Sequence, residues 1–144
     1  MNANPFASFN VEIPKKYRDS VISYSRTGGN KNTPEYAPFK RQVDFWYLAF
    51  LVGISKGLDP EPDSDTYNAT PATIFSSDPY RINHMLLAYL GVTQDVESLA
   101  NHRAVFDYCL GVANAGMPYL IQIMADPDER PLWSLFDELE GLVA

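Results

Sequence analysis

The chain has 144 residues, of which 46% are apolar, 13% aromatic and 20% charged. This balance predicts one compact domain over 1–144 and excludes disorder of the chain as a whole, since a chain of about 150 residues buries roughly 70% of its unfolded surface without needing disulfides or a metal. The longest apolar stretch, Phe45 to Ile54, falls short of the roughly 18 residues that span a bilayer, the start Met1-Asn2-Ala3-Asn4-Pro5-Phe6 lacks the features of a secretory signal, and the single cysteine, Cys109, cannot form an internal bridge; a reducing cytoplasm with no membrane partner is the expected setting.

The net charge of −7 is unevenly spread. Residues 1–56 hold eight Lys and Arg against four acids, a balance of +4, whereas residues 57–144 hold Arg81, Arg103 and Arg130 against fourteen acids, a balance of −11. Such asymmetry is a feature of polyanion-binding arms and of head-to-tail electrostatic pairing, and it also arises from ordinary solvated surface charge.

Residues 1–13 read as an extended lead-in, with Phe6, Phe9, Val11 and Ile13 spaced nearly by two, which suits one short strand. Pro14 is placed to open a helix to about Arg26, with Tyr17, Val21 and Tyr24 on one face. The turn-rich segment Thr27 to Pro34 ends it. From Pro38 to Gly57 the pattern predicts a central helix with almost no polar face after Asp44, its core including Trp46, Phe50 and Ile54. Leu58 to Asp65 is acidic and broken by Pro60 and Pro62, so it reads as a solvated loop.

Asp78-Pro79 is an N-cap followed by proline at the first helical position, opening a helix that stops at Gly91. A short helix follows from Thr93 or Asp95 through Leu99. Asn101 caps a longer one through Ala113, which Gly116 and Pro118 interrupt before a further apolar face from Tyr119 to Met124. The last helix, 131–143, carries Leu132, Leu135, Phe136, Leu139 and Leu142 as an amphipathic stripe with Trp133 beside it. Beyond the possible strand in the lead-in, these patterns predict an all-α domain of five to seven helices, with no internal repeat and no linker.

Candidate chemistry is sparse. Cys109, His84 and His102 are the residue types of a thiolate nucleophile and its base, but Cys109 sits among Val105, Phe106, Leu110 and Val112 and reads as a small buried hydrophobe. Two histidines and a cysteine without close spacing fall short of a zinc site. Counting a calcium loop from Asp59 puts Ser64 and Thr70 where glycine and glutamate are needed. Gly28 to Thr33 could offer backbone N–H groups to phosphate, yet it lacks the P-loop spacing. No catalytic, cofactor or metal residue is therefore assigned.

Two binding regions remain. Arg26, Lys31, Lys40 and Arg41 would converge if the first two helices packed antiparallel across the intervening loop, forming a patch for a polyanion or an acidic partner. Net acidity disfavours a free-standing DNA binder and favours docking on a partner or on DNA held by a larger complex. The second region is the stripe Leu132, Trp133, Leu135, Phe136, Leu139 and Leu142, which faces either this domain's own core or a partner's groove.

Phe39-Lys40-Arg41, Asp44, Ala49, Gly53 and Gly57 give the pattern F-K-x₃-D-x₄-A-x₃-G-x₃-G. With Val105-Phe106-Asp107 and Ala113-Asn114-Ala115-Gly116-Met117-Pro118-Tyr119-Leu120, it resembles the small helical accessory proteins found with bacterial DNA phosphorothioation and related antiphage systems, over residues 38–124. The long lead-in, the acidic loop and the C-terminal helix depart from those proteins. The resemblance implies a non-catalytic accessory or adaptor subunit that docks on a larger protein of a defence complex acting on DNA, and it carries over no catalytic residue. A direct nucleic-acid-binding module and an enzyme with an unrecognised site are the alternatives, and homo-oligomerisation is left open.

Overall fold

The computed structural model describes residues 4–26 and 33–143. The lead-in does contain a strand: Asn10–Pro14 forms β1, where Val11 and Ile13 are fully buried and Glu12 between them is not, the period-two alternation of a half-buried strand. Its partner is β2, Thr66–Pro71, paired antiparallel from Asn10 opposite Pro71 to Pro14 opposite Thr66, with a register irregularity between Val11 and Glu12. The expectation of an all-α domain is therefore corrected to a mostly helical chain, 63% helix, with a two-stranded antiparallel sheet. β2 has no apolar alternation because both of its faces are only half covered, so periodicity carries no signal there.

Pro14 ends β1 instead of opening a long helix. A single 3-10 turn over Lys15–Tyr17 leads into α1, Arg18–Ser23, with Val21 turned into the core. The helix stops short of Arg26 because the backbone there is drawn into a parallel bridge between Ser25 and Phe39: the Phe39 N–H donates to the Tyr24 carbonyl at 3.2 Å and the Arg26 N–H to the Phe39 carbonyl at 2.8 Å.

The central helix is α2, Gln42–Ser55, shorter than 38–57 because Arg41 is extended at φ −129° and serves as its N-cap. Gly57, at φ +65°, closes it: the Gly57 N–H donates to the Ile54 carbonyl at 3.1 Å and the Leu58 N–H to the Gly53 carbonyl at 2.9 Å, the paired bonds of a Schellman motif that glycine makes without a Cβ penalty. Trp46 and Phe50 stack at 5.9 Å in the core, whereas Ile54, expected beside them, is 39% exposed. It lies in the last turn, where Gly53, one residue earlier, takes the place against α4.

That neighbour is α4, His102–Met124, with thirteen buried residues and Asn101 as its cap, the Asn101 Oδ1 accepting from the Ala104 N–H at 3.1 Å. Gly116 and Pro118 do not interrupt it. Pro118 faces solvent, so its ring stands clear of the packed face and the helix runs on through it to Met124. Gly116 is a crossing point: a Cβ there would stand 2.0 Å from the Ala49 carbonyl oxygen, and one on Gly53 would stand 2.6 Å from the Val112 carbonyl oxygen. Ala49 and Gly53 on α2 and Gly116 on α4 thus let two backbones touch, which larger residues would forbid.

Helix α3, Pro79–Thr93, passes through Gly91 and ends at Gln94, whose left-handed conformation (φ 55°) lets its N–H donate to the Leu90 carbonyl at 2.7 Å. A 3-10 turn over Val96–Ala100 follows, and α5, Pro131–Val143, completes the chain. The acidic loop is not simply solvated, because its backbone lies on α4, with the Glu61 N–H donating to the Gly111 carbonyl and the Asn114 Nδ2 to the Glu61 carbonyl, both at 2.9 Å. One apolar cluster extends from Phe6 through α2 and α4 to Leu135 on α5.

Candidate functional site

The basic patch is only partly assembled. The Ser25–Phe39 bridge does bring Arg26 beside Lys40, through paired extended backbone rather than through packed helices. The Arg26 guanidinium donates to the Ala37 carbonyl at 3.0 Å, and Lys40 is exposed. Lys31, with the suggested phosphate-binding residues 27–32, lies outside the described residues. Arg41 points elsewhere, into an ionic network that joins the N-termini of α2 and α3.

At its centre Asp44, third residue of α2, reaches back so that its Oδ2 accepts from the Arg41 backbone N–H and from Arg41 Nε, each at 3.1 Å; Oδ1 accepts from Arg41 Nη2 at 2.7 Å and from Arg81 Nη1 at 3.0 Å. Arg41 Nη2 also donates to Asp78 Oδ2 at 3.0 Å. Asp78 is therefore bonded to the other helix and makes no side-chain cap on its own. Burial pulls the Asp44 carboxyl upward, but the donors from Arg41 and Arg81 outweigh it and hold the group below its ordinary value. The bonds to Asp44, against the opposing pull of burial, raise the Arg41 guanidinium further above its already high value. Two carboxylates at two helix N-termini also complement the positive ends of the helix dipoles.

One turn further along α2, the Arg81 guanidinium lies 4.4 Å over the Tyr47 ring, and the Tyr47 hydroxyl is hydrogen-bonded to His84 Nδ1. Burial raises the Tyr47 phenol, with Arg81 opposing. In the sequence His84 is a candidate base and Arg81 only a charge; they stand three positions apart on α3, and their common neighbour Tyr47 is not legible from spacing. Cys109 is fully buried, with Sγ 3.8 Å from the Met85 carbonyl, and burial pushes its thiol well above the ordinary value, the opposite of an activated nucleophile. His102 is exposed at the start of α4. Among the described residues, no three of His, Cys, Asp and Glu converge as metal ligands would.

The stripe on α5 divides between two faces. Leu135 is 9% exposed and joins the core, and Leu132 is half-buried, but Trp133, Phe136 and Leu139 are 45%, 53% and 46% exposed. The Leu142 side chain lies outside the described residues. Residues three apart on a helix are neighbours, and the rings of Trp133 and Phe136 stand 6.1 Å apart. The helix is also pinned at its start: the Leu132 N–H donates to the Glu35 carbonyl at 3.0 Å, Arg130 pairs with the Glu35 carboxylate, and Trp133 Nε1 donates to that carboxylate at 3.3 Å. Arg130 and Trp133 hold the Glu35 carboxyl below its ordinary value. Asp126, Asp128 and Glu129, just before this helix, and Asp137, Glu138 and Glu140 on it are all exposed.

No protein-family model, curated protein or solved structure matches the chain. The residues that carry the resemblance to phosphorothioation-associated accessory proteins have structural work in this fold: Asp44 ties two helices, Ala49, Gly53 and Gly116 make the crossing, and Gly57 closes α2.

Proposed function

We propose that the protein is a non-catalytic accessory subunit that docks through the outer face of α5 on a larger protein, in the setting the resemblance implies: a bacterial antiphage complex acting on DNA. The observation that carries the docking is the division of α5, in which Leu135 fixes the helix to the core while Trp133, Phe136 and Leu139 stay exposed side by side. An apolar face flanked on its helix by Asp137 and Glu140 suits a groove with apolar pockets and a basic rim, because complementary charge speeds encounter and fixes register. Fully burying a large apolar side chain contributes roughly 1.5–3 kcal/mol; these three start about half exposed, so they supply part of the contact and the surrounding surface must supply the rest of what association costs.

Direct DNA binding has less support. Among the described residues, Arg41, Arg103 and Arg130 each pair with a carboxylate, and Arg26 is bonded to the Ala37 carbonyl.

Purification of tagged chain from its native host, beside a Phe136→Ser/Leu139→Ser variant of equal thermal stability, tests the reading. The expected result is one larger protein retained in fixed ratio by the parent and lost from the variant. Equal retention by both proteins counts against docking through α5. Binding of duplex DNA by the isolated chain, weakening steeply with salt as phosphate neutralisation demands, would favour the nucleic-acid reading instead.

A further inference from the structure

Glu35 stands on a turn that the fold holds firmly. The Tyr36 and Ala37 N–H groups donate to the Thr33 carbonyl at 3.2 and 3.0 Å, Ala37 is fully buried, and Arg26 Nη1 donates to the Ala37 carbonyl at 3.0 Å. From this turn Glu35 meets the start of α5 with both its backbone and its side chain. Its carbonyl accepts from the Leu132 N–H at 3.0 Å, and one carboxylate oxygen, Oε2, accepts both from Arg130 Nη1 and from Trp133 Nε1, the latter at 3.3 Å. Arg130 also lies 5.3 Å over the Tyr36 ring, so the same turn holds it from two sides.

The two kinds of contact do different things. The Leu132 bond uses backbone alone, and it anchors the helix whatever side chain stands at position 35. The bonds to Oε2 join exposed groups, and an exposed ion pair adds little to stability. What they fix is the direction of the Trp133 indole, which stands with its ring centre 6.1 Å from that of Phe136. An indole has a single N–H donor; with that donor engaged inside the chain, Trp133 offers a partner its carbon surface.

We infer that Glu35 is a positioning residue of the docking face: its carboxylate sets the orientation in which Trp133 stands beside Phe136. The inference rests on the docking proposed for α5 and adds to that face a residue from a distant turn. A side chain immobilised before association spares the complex an ordering cost equivalent to about two- to tenfold in affinity. Tryptophan is among the residues on which contacts of this kind depend most, so its orientation in the free chain bears directly on how tightly the face is held.

The test begins with heteronuclear NMR of the full chain. Its two tryptophans give two indole N–H resonances, and that of the fully buried Trp46 is the internal reference. In the parent the Trp133 indole should be as well ordered as the backbone. In Glu35→Ala its signal should move towards that of a free indole and lose order, while the Trp46 signal and the thermal melt stay in place. Glu35→Gln, which keeps a side-chain oxygen for the indole, should restore it. Retention of the larger protein in purifications from the native host should follow the indole, about two- to tenfold weaker for Glu35→Ala and recovered by Glu35→Gln. A Trp133 signal that ignores Glu35→Ala overturns the inference. So does a released indole with retention unchanged, in a host where Phe136→Ser/Leu139→Ser has lost the partner. If that double variant also retains the partner, the docking itself is at fault and the inference falls with it.

Discussion

Asp44 shows how much a single side chain can organise when four N–H donors converge on it. Replacing it by asparagine removes the charge that balances Arg41 and the largely buried Arg81, and breaking such a pair costs about 3 kcal/mol. Because the Asp44 carboxyl is held below its ordinary value of 3.8, the unfolded chain takes up its proton first as pH falls; the stabilisation is complete above that value and is lost as pH drops through the lower folded-state value. Denaturant titrations at pH 7 and pH 3 should therefore show a large gap between parent and Asp44→Asn at neutral pH and a narrower one in acid. A gap that stays constant would show that the charge is not what Asp44 contributes. Two glycines make an opposed pair of predictions. Gly116→Ala drives a methyl into the Ala49 carbonyl, and at least about 2 kcal/mol of stability should be lost, as in other overpacked cores. Gly91, inside α3, has nothing within 4 Å of its Cβ position, so Gly91→Ala should raise stability by about 0.5–1 kcal/mol through helix propensity alone. Thermal melts giving the same sign for both would contradict the crossing. Asp44, Asp78, Ala49, Gly53 and Gly116 are all marked in the sequence, but their pairing is not, since Asp78 and Arg81 lie more than thirty residues from Asp44, Gly116 lies more than sixty from Ala49, and nothing in the spacing brings them together.

Legibility follows burial at the scale of elements. The helices at 42–55, 79–93 and 131–143 were readable because each carries an apolar face or a capping signal, and Asn101 marked the start of α4. What failed were the breakers. Gly116, Pro118 and Gly91 read as stops, yet packing against α2 holds α4 through the first two, and α3 simply tolerates the third. β2 went unread because a strand half-covered on both faces lacks alternation. Within α2, Phe50→Ala should cost about 3–5 kcal/mol, while Ile54→Ala, on the exposed last turn, should cost less than about 1 kcal/mol; chemical denaturation of both variants measures the contrast, and equal losses would place the core elsewhere. Deleting α5 after Asp128 removes one buried leucine and a half-buried one. A loss of roughly 2–4 kcal/mol is expected, with the sheet and the α2–α4 crossing retained by circular dichroism. The sequence posed the stripe as facing either inward or outward, and it does both.

The charge asymmetry takes a different form in the whole molecule from the one its arithmetic suggested. Three cations of the first half pair with acids of the same chain, Arg41 with the half-buried Asp44 and Asp78 and, at the surface, Lys15 with Asp65 and Lys16 with Asp63. The acids around α5 remain at the surface beside Trp133, Phe136 and Leu139, so the strongest unsatisfied feature is an acidic, apolar helix face. That face was visible in the sequence as a stripe, although its split depends on which residues α4 covers, and only the fold decides this. Site-directed photocrosslinking in the native host tests whether this face docks on a partner. With benzoylphenylalanine at position 136, the expected result is a single adduct with one larger protein, suppressed by Asp137→Lys/Glu140→Lys; the same probe at Leu87, 62% exposed on α3, should give none. No adduct from position 136, or the same adducts from both positions, would contradict it.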